Sequence, residues 1–292
     1  MSDVHPLVWR NGSLVEIGEA SPSIASISFH MGTGVFDGMM AYWTEKGHHV
    51  FKGDEHFSRF LSSAENMGMP TGWTASKLQS ATLDILKTGG ASTYYIRPIA
   101  YRGGPELWLT GAEGRPVDVS IFAVPVDGSL NKPLICHYSK IERISNAAMP
   151  ISWKVCGLYV NSYLARRNAE RAGFDDGLMN DRHGFVSEAS ASNVFFIKKN
   201  RLLTPKLSGD VFPGITRKTV ISICREHNID VTEASLSRQE LDVDGAFLCS
   251  TLMELRPITR LGDALLDTLN LDIYRAISSA FSSMTRGRRL PL

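Results

Sequence analysis

The chain has 292 residues, of which 43% are hydrophobic and 21% are charged, and its formal net charge is +1. This balance gives no electrostatic reason to expect nucleic acid or an anionic membrane as the partner, so any bound anion must be held by a few local residues. No stretch approaches the ~18 continuous apolar residues that indicate a membrane span.

The first part of the chain alternates between strand-like and helical patterns. The predicted elements are a hairpin at 38–51, a helix that ends before Gly68, a helix at 74–88, and strands at 93–101 and 117–126. Asp54 is placed to cap the first helix. Residues 127–133 are rich in turn formers and are predicted as a linker, which leaves 1–126 as a small N-terminal α/β domain.

The second part, residues 134–292, is predicted as a larger C-terminal domain. Its predicted elements are a strand at 134–138, a helix at 159–172, strands flanking turns at 178–187 and 194–203, a helix at 216–227, a strand at 246–250 and a helix at 271–284. Short strands mixed with helices and joined by tight turns favour an α+β fold over a doubly wound sheet.

The cysteine and histidine pattern bounds the chemistry. The four cysteines are scattered, and no cysteine or carboxylate stands at ligand spacing from the histidines near His48. This pattern predicts reduced thiols and no metal site. The first residues lack the basic start and apolar core of a signal peptide, so we expect a cytoplasmic protein.

Three charged residues stand in apolar surroundings. Lys154 lies beside Trp153 and Val155, where a lowered pKa would suit a Schiff base, although most lysines are solvated surface groups. Glu188 ends an apolar strand before a run of small residues, and it is placed either to meet a cofactor or to cap a turn. Arg97 interrupts an apolar strand and needs an anion, which is either a substrate carboxylate or a structural acid.

The turn at residues 213–216 stands directly before an amphipathic helix. A glycine-containing turn at a helix N-terminus presents free N–H groups and the positive end of the helix dipole to an anion. Simple capping of the helix by Thr216 explains the same residues.

Five segments in this order resemble the class IV aminotransferases, the fold type IV pyridoxal-phosphate enzymes, from about His30 to Gly262. These segments are 56–59, Lys154–Ser162, 184–195, 213–217 and 250–258. The resemblance implies a small α/β domain, a larger pseudo-barrel domain, a cofactor site at their interface, and a homodimer in which each subunit completes the other's pocket.

The resemblance also implies a role for each site residue. Lys154 resembles the lysine that forms the Schiff base and moves the proton, and Glu188 resembles the carboxylate that faces the pyridine nitrogen. Tyr159 resembles the phenol that bonds the 3′ oxygen. The residues that resemble the phosphate-binding groups are Arg59, Ile215, Thr216 and Thr251.

Within the family, the branched-chain aminotransferases are most similar. The segments Phe36–Gly38 and Tyr95–Pro98 resemble theirs, which implies that Arg97 serves the distal carboxylate of glutamate or 2-oxoglutarate. Phe36 and Tyr95 then line an apolar pocket, which predicts transfer between an apolar L-amino acid and a 2-oxo acid.

Three departures from that pattern leave alternatives open. Leu252 and Met253 stand where backbone N–H groups of small residues help to bind the α-carboxylate, Ala191–Asn193 is serine-rich, and Met31 replaces a tyrosine. One alternative is therefore a D-amino-acid or (R)-amine transaminase of the same fold. The alternative from another class is a non-catalytic, ligand-binding relative.

Overall fold

A computed structural model describes residues 4–105, 107–109, 114–126, 132–207 and 210–287. The chain forms two compact units. The first contains Met1–Gly128 and Trp153–Gly157, and the second contains Ser129–Ser152 and Leu158–Leu292.

The first unit is built on a seven-stranded sheet in the order β2-β1-β7-β6-β4-β5, with β3 paired to β6. Every strand pair in this sheet is antiparallel. The strands are β1 (Leu7–Arg10), β2 (Ser13–Glu16), β3 (Val35–Phe36), β4 (Met39–Thr44), β5 (Gly47–Val50), β6 (Tyr94–Tyr101) and β7 (Asp118–Pro125). The helices are α1 (Ile27–His30), α2 (Gly53–Asn66), α3 (Ala75–Lys87) and a 3-10 turn at Ile17–Ala20.

Helices α2 and α3 each bury one face. On α2, Phe57, Phe60 and Ala64 are fully buried at i, i+3 and i+7, the spacing of one side of a helix. The expectation that Asp54 caps this helix is wrong. The helix begins at Gly53, and the capping position is Lys52, whose φ of 54° is left-handed and whose side chain makes no cap hydrogen bond.

The second unit is built on an eight-stranded sheet in the order β12-β11-β10-β13-β14-β8-β9, with β15 paired to β14. The β11–β12, β14–β8 and β8–β9 pairs are parallel. The strands are β8 (Leu134–Tyr138), β9 (Asp176–Leu178), β10 (Asn193–Lys198), β11 (Arg201–Pro205), β12 (Val231–Ala234), β13 (Gly245–Ser250), β14 (Glu254–Leu261) and β15 (Ala264–Leu265). The helices are α4 (Tyr159–Arg171), α5 (Ile215–Glu226), α6 (Asp272–Thr285) and 3-10 turns at Arg238–Glu240 and Thr268–Asn270.

Two buried clusters sit on this sheet. One joins α5 and α6 to the strands through Ile223, Ile277 and the stacked rings of Phe195 and Phe247, whose centroids lie 5.2 Å apart. The other cluster buries Leu178 and Val186 with side chains from the alternate strand positions. The α+β fold class predicted from the sequence is confirmed.

The division of the chain differs from the predicted domain boundary at one segment. Trp153–Gly157 belongs to the first unit because its backbone bonds there: Phe36 N donates to Lys154 O at 3.1 Å, and Cys156 N donates to Gly34 O at 2.8 Å. The predicted linker at 127–133 falls largely outside the described residues, which resume at Lys132.

The structure also bears on membranes and thiols. Within the ranges described above, no helix is both long enough and apolar enough to cross a bilayer. All four cysteines are free thiols, and no disulfide joins them.

Candidate active site

Lys154 is held in the first unit by its backbone and surrounded there by an aromatic ring and charges. Its N–H donates to Ser63 Oγ at 3.2 Å, and its carbonyl accepts from Phe36. The side chain is half-buried, and Nζ lies 5.1 Å from the centroid of the Phe36 ring. A lysine in this setting gains a cation–π contact in place of full hydration.

The pKa of Lys154 is lowered to about 8 by burial first and then by the positive charge of Arg59. Asp37 and Tyr95 oppose this shift, and Arg97 adds to it. Burial lowers a lysine pKa because it disfavours the charged form. A larger fraction of the amine is therefore neutral near pH 7 than for a solvated lysine, and only the neutral amine is a nucleophile.

Arg59 lies in the middle of α2 and forms a two-pronged ion pair with Asp37. Arg59 Nε donates to Asp37 Oδ2 at 2.7 Å, and Nη2 donates to Oδ1 at 2.8 Å. His56, one turn earlier, contacts the same carboxylate through Nδ1 at 2.8 Å. The predicted phosphate-binding arginine is thus anchored along one edge by a buried acid.

Strand β6 presents Tyr95 and Arg97 on the same side, because residues two apart on a strand share a face. Arg97 Nη2 donates to the Tyr95 hydroxyl at 2.8 Å, and its guanidinium carbon lies 4.3 Å from the centroid of Phe36. No acidic side chain in the described ranges pairs with Arg97, and its Nε is buried without a hydrogen-bond partner. Of the two interpretations from the sequence, the structural acid finds no candidate among these residues.

Glu188 lies in the second unit, buried, with three donors on its carboxylate. Arg143 Nε donates to Oε1 at 2.7 Å, while Asn193 Nδ2 and Phe212 N donate to Oε2 at 3.0 and 3.1 Å. Arg143 in turn donates from Nη1 to Asn161 Oδ1 at 3.3 Å. A carboxylate held by a guanidinium and two N–H groups is kept anionic and fixed in orientation.

The turn before α5 forms an uncapped helix N-terminus. The helix begins at Ile215 with Gly214 as the capping residue and no side-chain cap bond, so capping by Thr216 is wrong. Gly214 is required here, because an added Cβ would lie 2.2 Å from Asn193 Oδ1. The first N–H groups of a helix have no partner within the helix and suit an anion.

The remaining predicted residues lie at the ends of elements in the second unit. Tyr159 is the first residue of α4. Thr251 and Leu252 lie, half-buried, in the turn between β13 and β14, and Ser250 Oγ accepts from Met253 N at 3.3 Å inside that turn. The next residue, Glu254, has a left-handed φ of 52°.

Two residues of the site have no role in the sequence-based prediction, namely Arg143 and Asp37. Arg143 lies in an irregular segment, 45 residues before its partner Glu188, and no local pattern marks it. For Asp37, the available signal is an acid between two glycines, followed later by a histidine and an arginine three positions apart. That signal is compatible with a charged cluster but does not specify one.

Each unit supplies groups that fit a part of pyridoxal phosphate. The first has an amine of lowered pKa and an anchored guanidinium, and the second has a fixed carboxylate and an open helix N-terminus. Among the residues that the structure describes, no group of three or more histidine, cysteine or acidic side chains is arranged to hold a metal ion. The individual roles of these residues stay predictions.

Comparison with known proteins gives one consistent result. The model of the family described as "Amino-transferase class IV" matches residues 34–261. The branched-chain-amino-acid aminotransferase of Salmonella typhimurium is 31% identical over 257 residues, covering 86% of this chain and 83% of that protein.

Solved structures are similar along almost the whole chain. The branched-chain aminotransferase of the archaeon Thermoproteus uzoniensis with norvaline has a TM-score of 0.93 and 32% identity, over 98% of this chain and 96% of that one. A second branched-chain amino acid aminotransferase, from the organism abbreviated T.th. and complexed with N-(5'-phosphopyridoxyl)-L-glutamate, has a TM-score of 0.92 and 30% identity, over 99% and 96%.

The match to the family model spans most of the chain, and the fold agrees along nearly its full length. The chain belongs to the class IV aminotransferases. The predictions of this family, of its fold and of an aminotransferase are confirmed.

Proposed function

We propose that this chain uses pyridoxal 5′-phosphate to move an amino group between an apolar L-amino acid and 2-oxoglutarate or a similar 2-oxo acid. The observation that carries the proposal is Lys154, a half-buried amine whose pKa is lowered to about 8 among charged and aromatic neighbours. When bound, the cofactor supplies an electron-accepting ring for the substrate's Cα electrons.

The residues of the first unit bind the cofactor and move a proton. Lys154 Nζ attaches the cofactor through its aldehyde and then carries a proton to and from the substrate carbon, which requires an amine that is neutral near pH 7. Arg59 binds the phosphate, and its anchored guanidinium supports this role.

The residues of the second unit hold the ring and the other side of the phosphate. Glu188 keeps a proton at the pyridine nitrogen, which its anionic, three-donor setting supports. Tyr159 donates to the 3′ oxygen. The remaining phosphate donors are Ile215, Thr216 and Thr251, of which the first two begin α5.

Arg97 binds the distal carboxylate of glutamate or 2-oxoglutarate. Its support is the lack of an acidic partner among the described residues and the exposure of its charge only to aromatic faces and a phenol. Phe36 and Tyr95 form the apolar wall for a branched aliphatic side chain. Because an apolar pocket discriminates by only ~1–3 kcal/mol per methylene, we expect loose selectivity among leucine, isoleucine and valine.

The relatives support this substrate class. One solved relative carries norvaline and another a phosphopyridoxyl derivative of L-glutamate, that is, a small apolar amino acid and the dicarboxylic one. The relatives named above do not favour the D-amino-acid or (R)-amine alternative, nor a non-catalytic role. The substitution at Leu252 and Met253 changes the size of the turn side chains without changing its backbone donors.

A half-reaction panel tests the proposal. The cofactor-loaded protein is mixed separately with L-leucine, L-glutamate, D-alanine and (R)-phenylethylamine, and the absorbance of the bound cofactor is followed. We expect L-leucine and L-glutamate to bleach it and the other two to leave it unchanged. Bleaching by D-alanine or by the (R)-amine alone would contradict the proposed substrate class.

We also propose a cytoplasmic homodimer. Phe29, Leu107, Trp108 and Leu109 are exposed large apolar side chains of the first unit, with Trp108 at 75% exposure. Exposed apolar clusters of this kind mark interaction sites. A solution mass equal to twice 32.2 kDa is expected, and a monomer mass would contradict the dimer.

A further inference from the structure

Asp37 has an unusual number of donors for a fully buried carboxylate. Its Oδ1 accepts from Gly38 N at 2.6 Å, His56 Nδ1 at 2.8 Å and Arg59 Nη2 at 2.8 Å. Its Oδ2 accepts from Arg59 Nε at 2.7 Å. Asp37 has no exposed surface and His56 has 2%, so none of these bonds competes with bulk water.

The charges in this cluster follow from the contacts. Burial alone would raise the pKa of Asp37, but the charge of Arg59 and the hydrogen bonds of His56 and Arg59 hold it well below its usual range. Burial lowers the pKa of His56, although Asp37 opposes this. An anionic carboxylate only accepts, so a neutral His56 donates Nδ1–H to it. The cluster therefore contains one anion, one cation and one neutral ring.

We propose that Asp37 is a positioning residue that holds the Arg59 guanidinium in the orientation in which it binds the cofactor phosphate. The inference rests on the proposed function, which assigns Arg59 to that phosphate. Arginine has about 2 kcal/mol of side-chain conformational entropy, and a guanidinium pinned along one edge loses less of it on binding. Buried ion pairs contribute little net stability, so a role in orientation explains the cluster better than stability does.

Electrostatics and positioning predict opposite effects when Asp37 is neutralised. Arg59, Lys154 and Arg97 are cations that act on one another in this unit, and Asp37 is the anion among them. If only net charge mattered, Asp37→Asn would make the site more positive and tighten phosphate binding. If Asp37 positions Arg59, the same change weakens phosphate binding, because an amide cannot accept both guanidinium N–H groups.

The experiment compares two ligands that differ only in the phosphate. Dissociation constants of pyridoxal 5′-phosphate and of pyridoxal are measured on the cofactor-free protein by equilibrium dialysis. For Asp37→Asn we expect the first constant to rise about tenfold, the size of one lost charge-assisted hydrogen bond, and the second to stay within about twofold. Asp37→Glu keeps the charge and both acceptor oxygens and should bind the phosphate ligand nearly as well as the wild type.

A matched control separates positioning from damage to the unit. Asp118 lies in the same unit and pairs with Arg10 at 3.3 Å, away from Lys154. Asp118→Asn should leave both dissociation constants unchanged. Unchanged or tighter binding of pyridoxal phosphate by Asp37→Asn would overturn the proposal, and so would equal losses for both ligands. A wild-type protein that binds neither ligand would instead overturn the proposed function.

A measurement on the wild type keeps the proposal testable if Asp37→Asn does not fold. In the cofactor-free protein, the Arg59 Nε–H should exchange slowly with solvent, because its acceptor is buried. The NMR signal is assigned through its loss in Arg59→Lys, and Arg201, which is 68% exposed, provides the fast reference. Exchange at Arg59 as fast as at Arg201 would show that the guanidinium is not held.

Discussion

Replacing Arg97 with methionine should separate the two amino donors of the proposed reaction. The change keeps an apolar stem beside Phe36 but removes the guanidinium, which has no acidic partner among the described residues. Leucine has no distal carboxylate, so its binding does not use this charge. Glutamate and 2-oxoglutarate lose a charge-assisted, two-pronged contact.

The expected size of the effect follows from the two hydrogen bonds that glutamate would no longer make. A hydrogen bond to a charged group contributes about 1.5–3 kcal/mol, and two of them at the lower value total about 3 kcal/mol. Since a factor of ten corresponds to about 1.4 kcal/mol, kcat/KM for glutamate should fall roughly a hundredfold. The Tyr95 hydroxyl also loses its donor at 2.8 Å, which should cost leucine only a small factor, about threefold or less.

The assay is the half-reaction of each donor with the cofactor-loaded protein, followed by stopped-flow absorbance. Arg102→Leu is the matched control. Arg102 is a buried arginine of the same unit whose Nη2 donates to Gly68 O at 2.7 Å, outside the proposed site. Its removal should affect both donors equally. Equal losses for glutamate and leucine in Arg97→Met would refute the substrate role and indicate a structural arginine.

Three further predictions concern the cofactor. In the cofactor-free protein, labelling of Lys154 by an amine-specific reagent should rise with pH and reach half its maximum near pH 8, because the pKa is lowered to about 8; a midpoint close to that of a solvated lysine would contradict this. Glu188→Gln should bind the cofactor but bleach it with leucine at least about tenfold more slowly, whereas near-normal rates would remove Glu188 from the ring nitrogen. Gly214→Ala places a Cβ 2.2 Å from Asn193 Oδ1, so pyridoxal phosphate should bind more weakly, and unchanged affinity would mean that the start of α5 does not hold the phosphate.

Local signals are sufficient to predict the long elements. The helix predicted at 74–88 is observed at Ala75–Lys87, and Thr74 caps it by accepting from Lys77 N. A cap and two glycines lie within a few residues of the helix ends, so the sequence contains the information directly. The predicted start of strand β6 likewise lies within a residue of the observed one.

Elements whose stability comes from distant partners are absent from the prediction. Strands β1 and β2 are examples, since β1 pairs with β7 through Trp9 and Ile121, more than a hundred residues apart. Strands β12 and β14 escape prediction for the same reason, because each is completed by a neighbour from elsewhere in the chain. Four-residue strands carry too short a pattern to be recognised alone.

The candidate site shows the same limit at single residues. Lys154, Glu188 and Arg97 stand out because a charge in an apolar run is visible in sequence. Arg143 does not, because its partner Glu188 is brought to it only by the fold. The start of α2 differs from the prediction for a backbone reason: Lys52 adopts a left-handed conformation that no side-chain pattern predicts.

Covalent attachment of the cofactor to Lys154 can be measured directly. The purified protein is loaded with pyridoxal phosphate, reduced with borohydride, digested and analysed by mass spectrometry. A single phosphopyridoxyl group on Lys154 is expected, together with loss of the yellow colour and a cofactor that dialysis no longer removes. Labelling of another lysine in its place, or a protein that gains no absorbance with the cofactor, would contradict the central claim that Lys154 carries the chemistry.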